Sequence, residues 1–219
     1  MTARTIQAEK FYKKLQKKFS RRINLDLSRI KFAIKNEQIS LDKELDQKVL
    51  NIIGSDGKNT VLQSLKTILI QNKKHITSFT SPAIISPLDR IFIKNRFISL
   101  NKFKKFANDI ISSKVNLTLF ECLTLIYLKS IKNLKKIDYH LIEAGCGFNK
   151  DSTNLFTYPK AQIITNLNFQ HKELLKAKNI NDICKIKCGS LSHATNIYVG
   201  KQKPKILKIV KKILKKNPS

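Results

Sequence analysis

The sequence predicts an α/β protein: a doubly wound, mostly parallel sheet with a phosphate-binding loop, preceded by a helical N-terminal extension. Three observations carry this. A short apolar run, Lys48-Val-Leu-Asn-Ile-Ile53, leads through the Gly-containing stretch Gly54-Ser-Asp-Gly-Lys-Asn-Thr60 into residues with helical apolar spacing. Strand-like and helix-like patterns then alternate to the end of the chain. Hydrophobic residues make up 42% of the 219, ample for a packed core and too many for a disordered basic tail.

Residues 1–47 read as the helical segment, with Leu25, Leu27, Ile30 and Ile34 near one face, and residues 48–219 as the sheet domain. The run before the loop has the texture of a buried parallel strand, and Val61, Leu62, Leu65, Ile68 and Leu69 place a helix after it. Residues 75–79 read as the next strand. Past an irregular section and the run 90–99, a helix is expected from Ser99 to Ser113. Residues 117–131, apolar almost all round, predict a buried helix. Further strands are expected at 139–145, 161–166 and 196–200, with a short helix at 179–189. A terminal helix gathers Ile206, Leu207, Ile209, Val210, Ile213 and Leu214 on one side and lysines on the other. Covering the sheet with that face is worth roughly 1.5–3 kcal/mol per large side chain, against about 1 kcal/mol per lysine on an anionic membrane. Sheet packing is the expected role.

The formal net charge is +28, which ordinarily suggests nucleic acid. Yet of 43 basic residues only those at 4, 21, 22, 29, 90 and 96 are Arg, the side chain that reads phosphates and base edges bidentately. The abundance of Lys, Asn and Ile instead fits drift toward A/T-rich codons on solvated faces, so no specific nucleic-acid partner is expected. No apolar run reaches the length of a membrane span, and the N-terminus lacks a signal peptide's apolar centre, so the expected location is cytoplasmic. Cys122, Cys146, Cys184 and Cys188 have no disulfide-framework spacing. Cys184 and Cys188 with His193 could form a zinc site, but reduced, packed thiols are the plainer reading.

The loop carries the functional argument. A strand, a Gly-containing turn and a helix opening with Lys and Thr make a phosphate cradle. Backbone N–H groups and the helix N-terminus face the anion, Lys58 neutralises charge and the Thr60 hydroxyl can ligate Mg²⁺. Taken alone, the stretch fits a plain polar turn equally well. Its surroundings favour the cradle. Ligands bind beyond the carboxyl ends of strands in such sheets, and Thr80 with Ser81, Glu143, and Asn166 with His171 fall at or just past three of those ends.

The ordered motifs resemble those of folylpolyglutamate synthase/dihydrofolate synthase, of the Mur ligase superfamily. The family's G-T-N-G-K-G-S/T is Gly54-Ser-Asp-Gly-Lys-Asn-Thr60 here, and its F-T-S-P-H is Phe79-Thr-Ser-Pro-Ala83. Its E-R-I-x-I-N-G matches Asp89-Arg-Ile-Phe-Ile-Lys-Asn95 and runs onward to Ser99, and its L-T-F-F-E-V-L-T is Leu117-Thr-Leu-Phe-Glu-Cys-Leu-Thr124. E-V-G-L-G-G-R-L-D-A-T-N becomes Glu143-Ala-Gly-Cys-Gly-Phe-Asn-Lys-Asp-Ser-Thr-Asn154, and I-T-N-I-G-L-D-H becomes Ile164-Thr-Asn-Leu-Asn-Phe-Gln-His171. E-K-A-G corresponds to Ile186-Lys-Cys-Gly189, and the resemblance spans about residues 20–216.

The resemblance implies an ATP- and Mg²⁺-dependent ligase that joins glutamate to folate or dihydropteroate through an acyl phosphate. It implies an ATP site at Gly54, Ser55, Asp56, Gly57, Lys58, Asn59 and Thr60. Metal ligands would be Thr60, Ser81, Glu143 and His171, with Glu121 in support. Lys58, Glu143 and Lys187 would be the catalytic set, Lys187 matching a lysine that is carbamylated in the family. It further implies a Mur-ligase-like central domain cut short, lacking the rest of the sheet and a C-terminal domain. A separate chain could supply that half, and activity of the protein alone is doubtful. Rival readings are an inactive truncated paralogue and a basic nucleic-acid or membrane binder. Departures from the pattern are numerous and include Asn59 for Gly, Phe148-Asn149 for Gly-Arg, Gln170 for Asp and Ala83 for His.

Overall fold

In the computed structural model, which describes residues 2–20, 26–192 and 195–216, helices α1 (Ala3–Lys18), α2 (Ser28–Asn36) and α3 (Lys43–Asp46) precede strand β1 (Val49–Ile53). Helix α4 (Lys58–Gln71) and strand β2 (Ile76–Phe79) follow, then a 3₁₀ turn at Pro87–Arg90. Strands β3 (Ile91–Ile93) and β4 (Arg96–Phe97) lead into helices α5 (Leu100–Ser112) and α6 (Leu119–Ile131). The chain continues through β5 (Tyr139–Glu143), β6 (Ala161–Ile164), α7 (Ile180–Cys188), β7 (Asn196–Val199) and α8 (Pro204–Lys216). All seven strands join one sheet in the order β4-β3-β2-β5-β1-β6-β7.

The five strands from β2 to β7 in that order pair in parallel, as the unbroken apolar runs imply. Only β3 and β4 run antiparallel, β3 to β2 and β4 to β3. The run 90–99 was assigned no element from its pattern, yet it makes this hairpin, turning at Lys94 and Asn95, both at positive φ. Strand alternation sorts the core. Ile52, Ile76 and Leu141 face α4 through Leu62, while Val49, Phe79 and Ile142 join the opposite face with α6. Ala8, Leu15, Ile30 and Ile34 of the N-terminal helices share that second cluster.

Local chemistry sets the helix ends. Thr118 caps α6 reciprocally, its hydroxyl taking the Glu121 amide while Glu121 accepts the Thr118 amide at 2.7 Å. Glu121 also grips Arg29 of α2 through two bonds, 2.8 and 3.2 Å. This carboxylate therefore ties two helices together. Leu100, Phe103, Ala107 and Ile110 bury the apolar stripe of α5. At the other end of the chain, Ile206 and Val210 of α8 sink into a cluster with Ile53, Ile164, Cys184 and Cys188. The lysine-rich face of α8 is left to solvent, as its pattern requires. No helix among the described residues is long and apolar enough to cross a membrane.

One buried polar network crosses the core. Thr77 Oγ1 lies 2.7 Å from both the Tyr127 hydroxyl and His140 Nδ1, and Tyr127 stacks on Phe79. Burial, with Lys48 nearby, lowers the His140 imidazole to about 4, so the ring is neutral, with Nδ1 held by Thr77.

Candidate nucleotide- and metal-binding site

The central strand β1 delivers the loop. At Gly54 a Cβ would fall 1.9 Å from Thr165 Oγ1, so β6 leaves no room for a side chain. The amides of Ser55 and Asp56 both donate to the Asn166 carbonyl, at 2.9 and 3.2 Å, which lays the loop against the segment after β6. Gly57 then adopts φ +79 and opens α4. The first helical hydrogen bond is Val61 N to Gly57 O. The amides of Lys58, Asn59 and Thr60 consequently have no intrahelical acceptor and stand at the positive end of the helix. Lys58 folds back, its Nζ 3.3 Å from the Ser55 carbonyl.

Glu143 ends β5 beside that helix mouth, only 2% exposed. Its Oε2 accepts from the Ser81 amide at 3.2 Å and from Asn59 Nδ2 at 3.4 Å. Burial raises the carboxyl pKa, while the Ser81 amide, Lys58, Asn59 and Arg90 oppose the rise. The Ser81 hydroxyl accepts from Arg90 NH1 at 3.5 Å. Arg90 is itself buried, and the Tyr12 ring of α1 lies 6.0 Å from its guanidinium carbon. Thus Lys58, Asn59, Ser81 and Glu143 gather on one rim at the carboxyl ends of β1, β2 and β5, where ligands of such sheets sit.

Lys187 reaches the same rim from α7, 1% exposed. Its Nζ donates to the Gly54 carbonyl at 3.0 Å and to the Cys146 carbonyl at 2.5 Å, joining the loop to the turn after β5. Burial, and then the Lys58 charge, bring its ammonium down to about 8. Asp151 lies within that turn, its Oδ1 taking the Thr153 amide and hydroxyl at 2.9 and 2.5 Å. Burial raises it to about 6.

The remaining expected residues are placed differently. Thr60 is exposed, and the side chain of the first helical turn that reaches Glu143 is Asn59. His171 lies seven residues past β6, exposed and at φ +55, and no hydrogen bond or ion pair joins it to Ser81 or Glu143 among the described residues. Nor do three His, Cys, Asp or Glu side chains converge anywhere among the described residues. Cys184 and Cys188 are buried in the core, and His193 lies outside the described residues. A hard divalent cation still fits the rim. Among the described residues Glu143 takes hydrogen bonds through Oε2, which leaves Oε1 and the Ser81 hydroxyl as oxygen ligands beside an anion cradle.

Arg90 and Asn59 are the residues that sequence reasoning undervalued. Arg90 sits in the matched Asp89-Arg-Ile91 motif, so an Arg in a Lys-dominated chain was the available signal. Asn59 was legible as a loop residue standing in place of a glycine, and its bond to Glu143 was not.

No protein-family model matches the chain. Among curated proteins it is 28% identical over 179 residues to a putative folylpolyglutamate synthase of Dictyostelium discoideum, covering 78% of this chain and 28% of that protein. It is 28% identical over 200 residues to dihydrofolate synthetase of Saccharomyces cerevisiae, covering 86% and 45%. Among solved structures, E. coli FolC in complex with DHPP and ADP superposes with a TM-score of 0.81 at 21% identity, over 95% of this chain and 49% of that one. An FPGS–AMPPCP–folate complex superposes with a TM-score of 0.80 at 22% identity, over 98% and 53%. The chain therefore spans about half the length of the solved chains, and less than half of these curated relatives.

Proposed function

We propose that this chain, a partial-length relative of the folylpolyglutamate and dihydrofolate synthases that shares their nucleotide-binding fold, binds ATP with Mg²⁺ on the rim formed by Gly54–Thr60, Ser81 and Glu143. In that reading it is the ATP-binding part of a ligase that adds glutamate to folate or dihydropteroate. The observation that supports it most is Glu143, a buried carboxylate at a strand end whose Oε2 is fixed by the Ser81 amide and Asn59 while the helix mouth opens beside it.

Each residue then has a physical task. The amides of residues 58–60 and the Lys58 ammonium hold phosphate oxygens by charge and direction. Mg²⁺, when bound, supplies the positive charge that draws phosphate oxygens toward Glu143 and Ser81. Arg90 orients the Ser81 hydroxyl. Asn59 and the Ser81 amide fix the Glu143 carboxylate in one rotamer, so little reorganisation is required as charge moves. Thr60 in the first turn of α4 and His171 past β6 would be further ligands in that reading. Lys187 is the residue expected to be carbamylated. Its depressed pKa supports this, because carbon dioxide adds to the neutral amine.

Glutamate transfer needs groups that exclude water and position the second substrate. These we assign to the further length that the relatives possess, supplied by a second polypeptide or by more of the same one. Titration of the protein with AMPPCP and Mg²⁺ tests the reading. Binding is expected in the wild type, and Lys58→Met should weaken it by one to two orders of magnitude, since a charge-assisted contact is worth about 1.5–3 kcal/mol. Wild-type protein that ignores the nucleotide would refute the proposal. Glutamate- and ATP-dependent extension of folate or dihydropteroate, with and without a polypeptide supplying the rest of the relatives' length, tests the ligase reading.

A further inference from the structure

Two departures from the family pattern meet in space. Asp56 replaces the loop asparagine, and Gln170 replaces the aspartate before the histidine. Gln170 Nε2 donates to Asp56 Oδ1 at 3.1 Å, and Asn168 Nδ2 donates to Asp56 Oδ2. A carboxylate inside an anion-binding loop is a liability, because it repels the phosphate that the loop should attract. Here each of its oxygens is taken by a side-chain amide on the segment after β6. The backbone follows the same line. Asp56 and Asn166 form an antiparallel bridge, and the Ser55 hydroxyl exchanges hydrogen bonds with the Asn168 backbone at 3.1 and 3.2 Å.

We propose that Asp56 and Gln170 form a latch that clamps the loop at 54–57 onto residues 166–171, and so sets where His171 stands. Asp56 and Gln170 are positioning residues and need touch no ligand. The latch is a contact within the chain, so only its consequence for binding rests on the proposed function.

The test is a reciprocal swap in the full chain. Protection of the Ser55 and Asp56 amides, both bound to the Asn166 carbonyl, is measured by NMR hydrogen exchange in ligand-free wild type, Gln170→Asp, and Asp56→Asn/Gln170→Asp. Gln170→Asp sets two carboxylates against each other and should reduce protection about three- to tenfold. The double variant restores one donor and one acceptor in reversed order, and should return to within about twofold of wild type. Both side chains are exposed, so thermal unfolding should hardly change and loss of the fold will not mimic the effect. Unaltered protection in Gln170→Asp, or a double variant as poorly protected as that single one, overturns the latch. AMPPCP affinity should fall in Gln170→Asp and recover in the double variant. A wild type blind to AMPPCP would overturn the nucleotide reading and leave the exchange result standing.

Discussion

Lys187 shows how one buried amine can join two loops. Its ammonium is held near 8, below the ordinary 10.5 of lysine. The unfolded chain binds the extra proton between those values, so this residue's contribution to stability rises with pH across the window, and its burial penalty is fully present below about 8. Buried thiols work the other way: burial raises Cys122 and Cys188 to about 12 and Cys184 to about 11. The clean observable is the difference between wild type and Lys187→Met from pH 8 to 9, before thiols begin to dominate. Urea denaturation should give a more positive slope of stability with pH in the wild type; equal slopes would contradict the burial argument. A second residue-scale prediction contrasts two glycines. Gly54→Ala drives a methyl into Thr165 and should cost about 3 kcal/mol or more. Gly57→Ala meets nothing within 4 Å and bears only the strain of its positive φ, about 1 kcal/mol. Thermal melts of the pair should separate them clearly.

Elements were the most legible scale. Apolar periodicity predicted α4, α5 and the buried α6, and unbroken apolar runs predicted β1, β2, β5 and β6, because burial on both faces writes itself into the sequence. The hairpin at 91–97 was not readable. Its strands are two and three residues long, too short for a period, and Lys94 and Asn95 make its turn without glycine. In the candidate site, Lys58, Ser81 and Glu143 could be read from loop chemistry and strand ends. The support of Asn59 and Arg90 could not, since it depends on contacts between residues 84 and 9 positions apart. Glu121 belongs to this scale as well. Resemblance placed it near the site, but its carboxylate holds α2 to the start of α6. Removing its charge with Glu121→Gln leaves Arg29 with Asp26, 3.5 Å away, as its anionic partner and weakens the cap, with an expected loss of about 1–3 kcal/mol. Chemical denaturation would register it as a fall in midpoint at unchanged slope.

At the scale of the whole molecule, charge and sheet order dominate. A net charge of +28 on 219 residues repels itself. Raising salt from about 10 to 150 mM shortens the Debye length from about 30 to 8 Å, so the melting temperature should climb over that range. Scanning calorimetry at fixed pH would detect it, and a flat or falling trend would show that ion pairs such as Lys129 with Glu37 and Asp109 outweigh the repulsion. Strand order has a quieter effect. The loop at 54–57 springs from β1, which is flanked by partners on both sides, whereas among the described residues β7 is bordered only by β6 and shows Tyr198 and Val199 to solvent. A guest seated at the loop braces the middle of the fabric and leaves its hem as it was. Trypsin, offered so many lysines, should therefore begin trimming at the C-terminal hem whether or not a guest is present, while cuts near the centre grow rare only once the seat is filled.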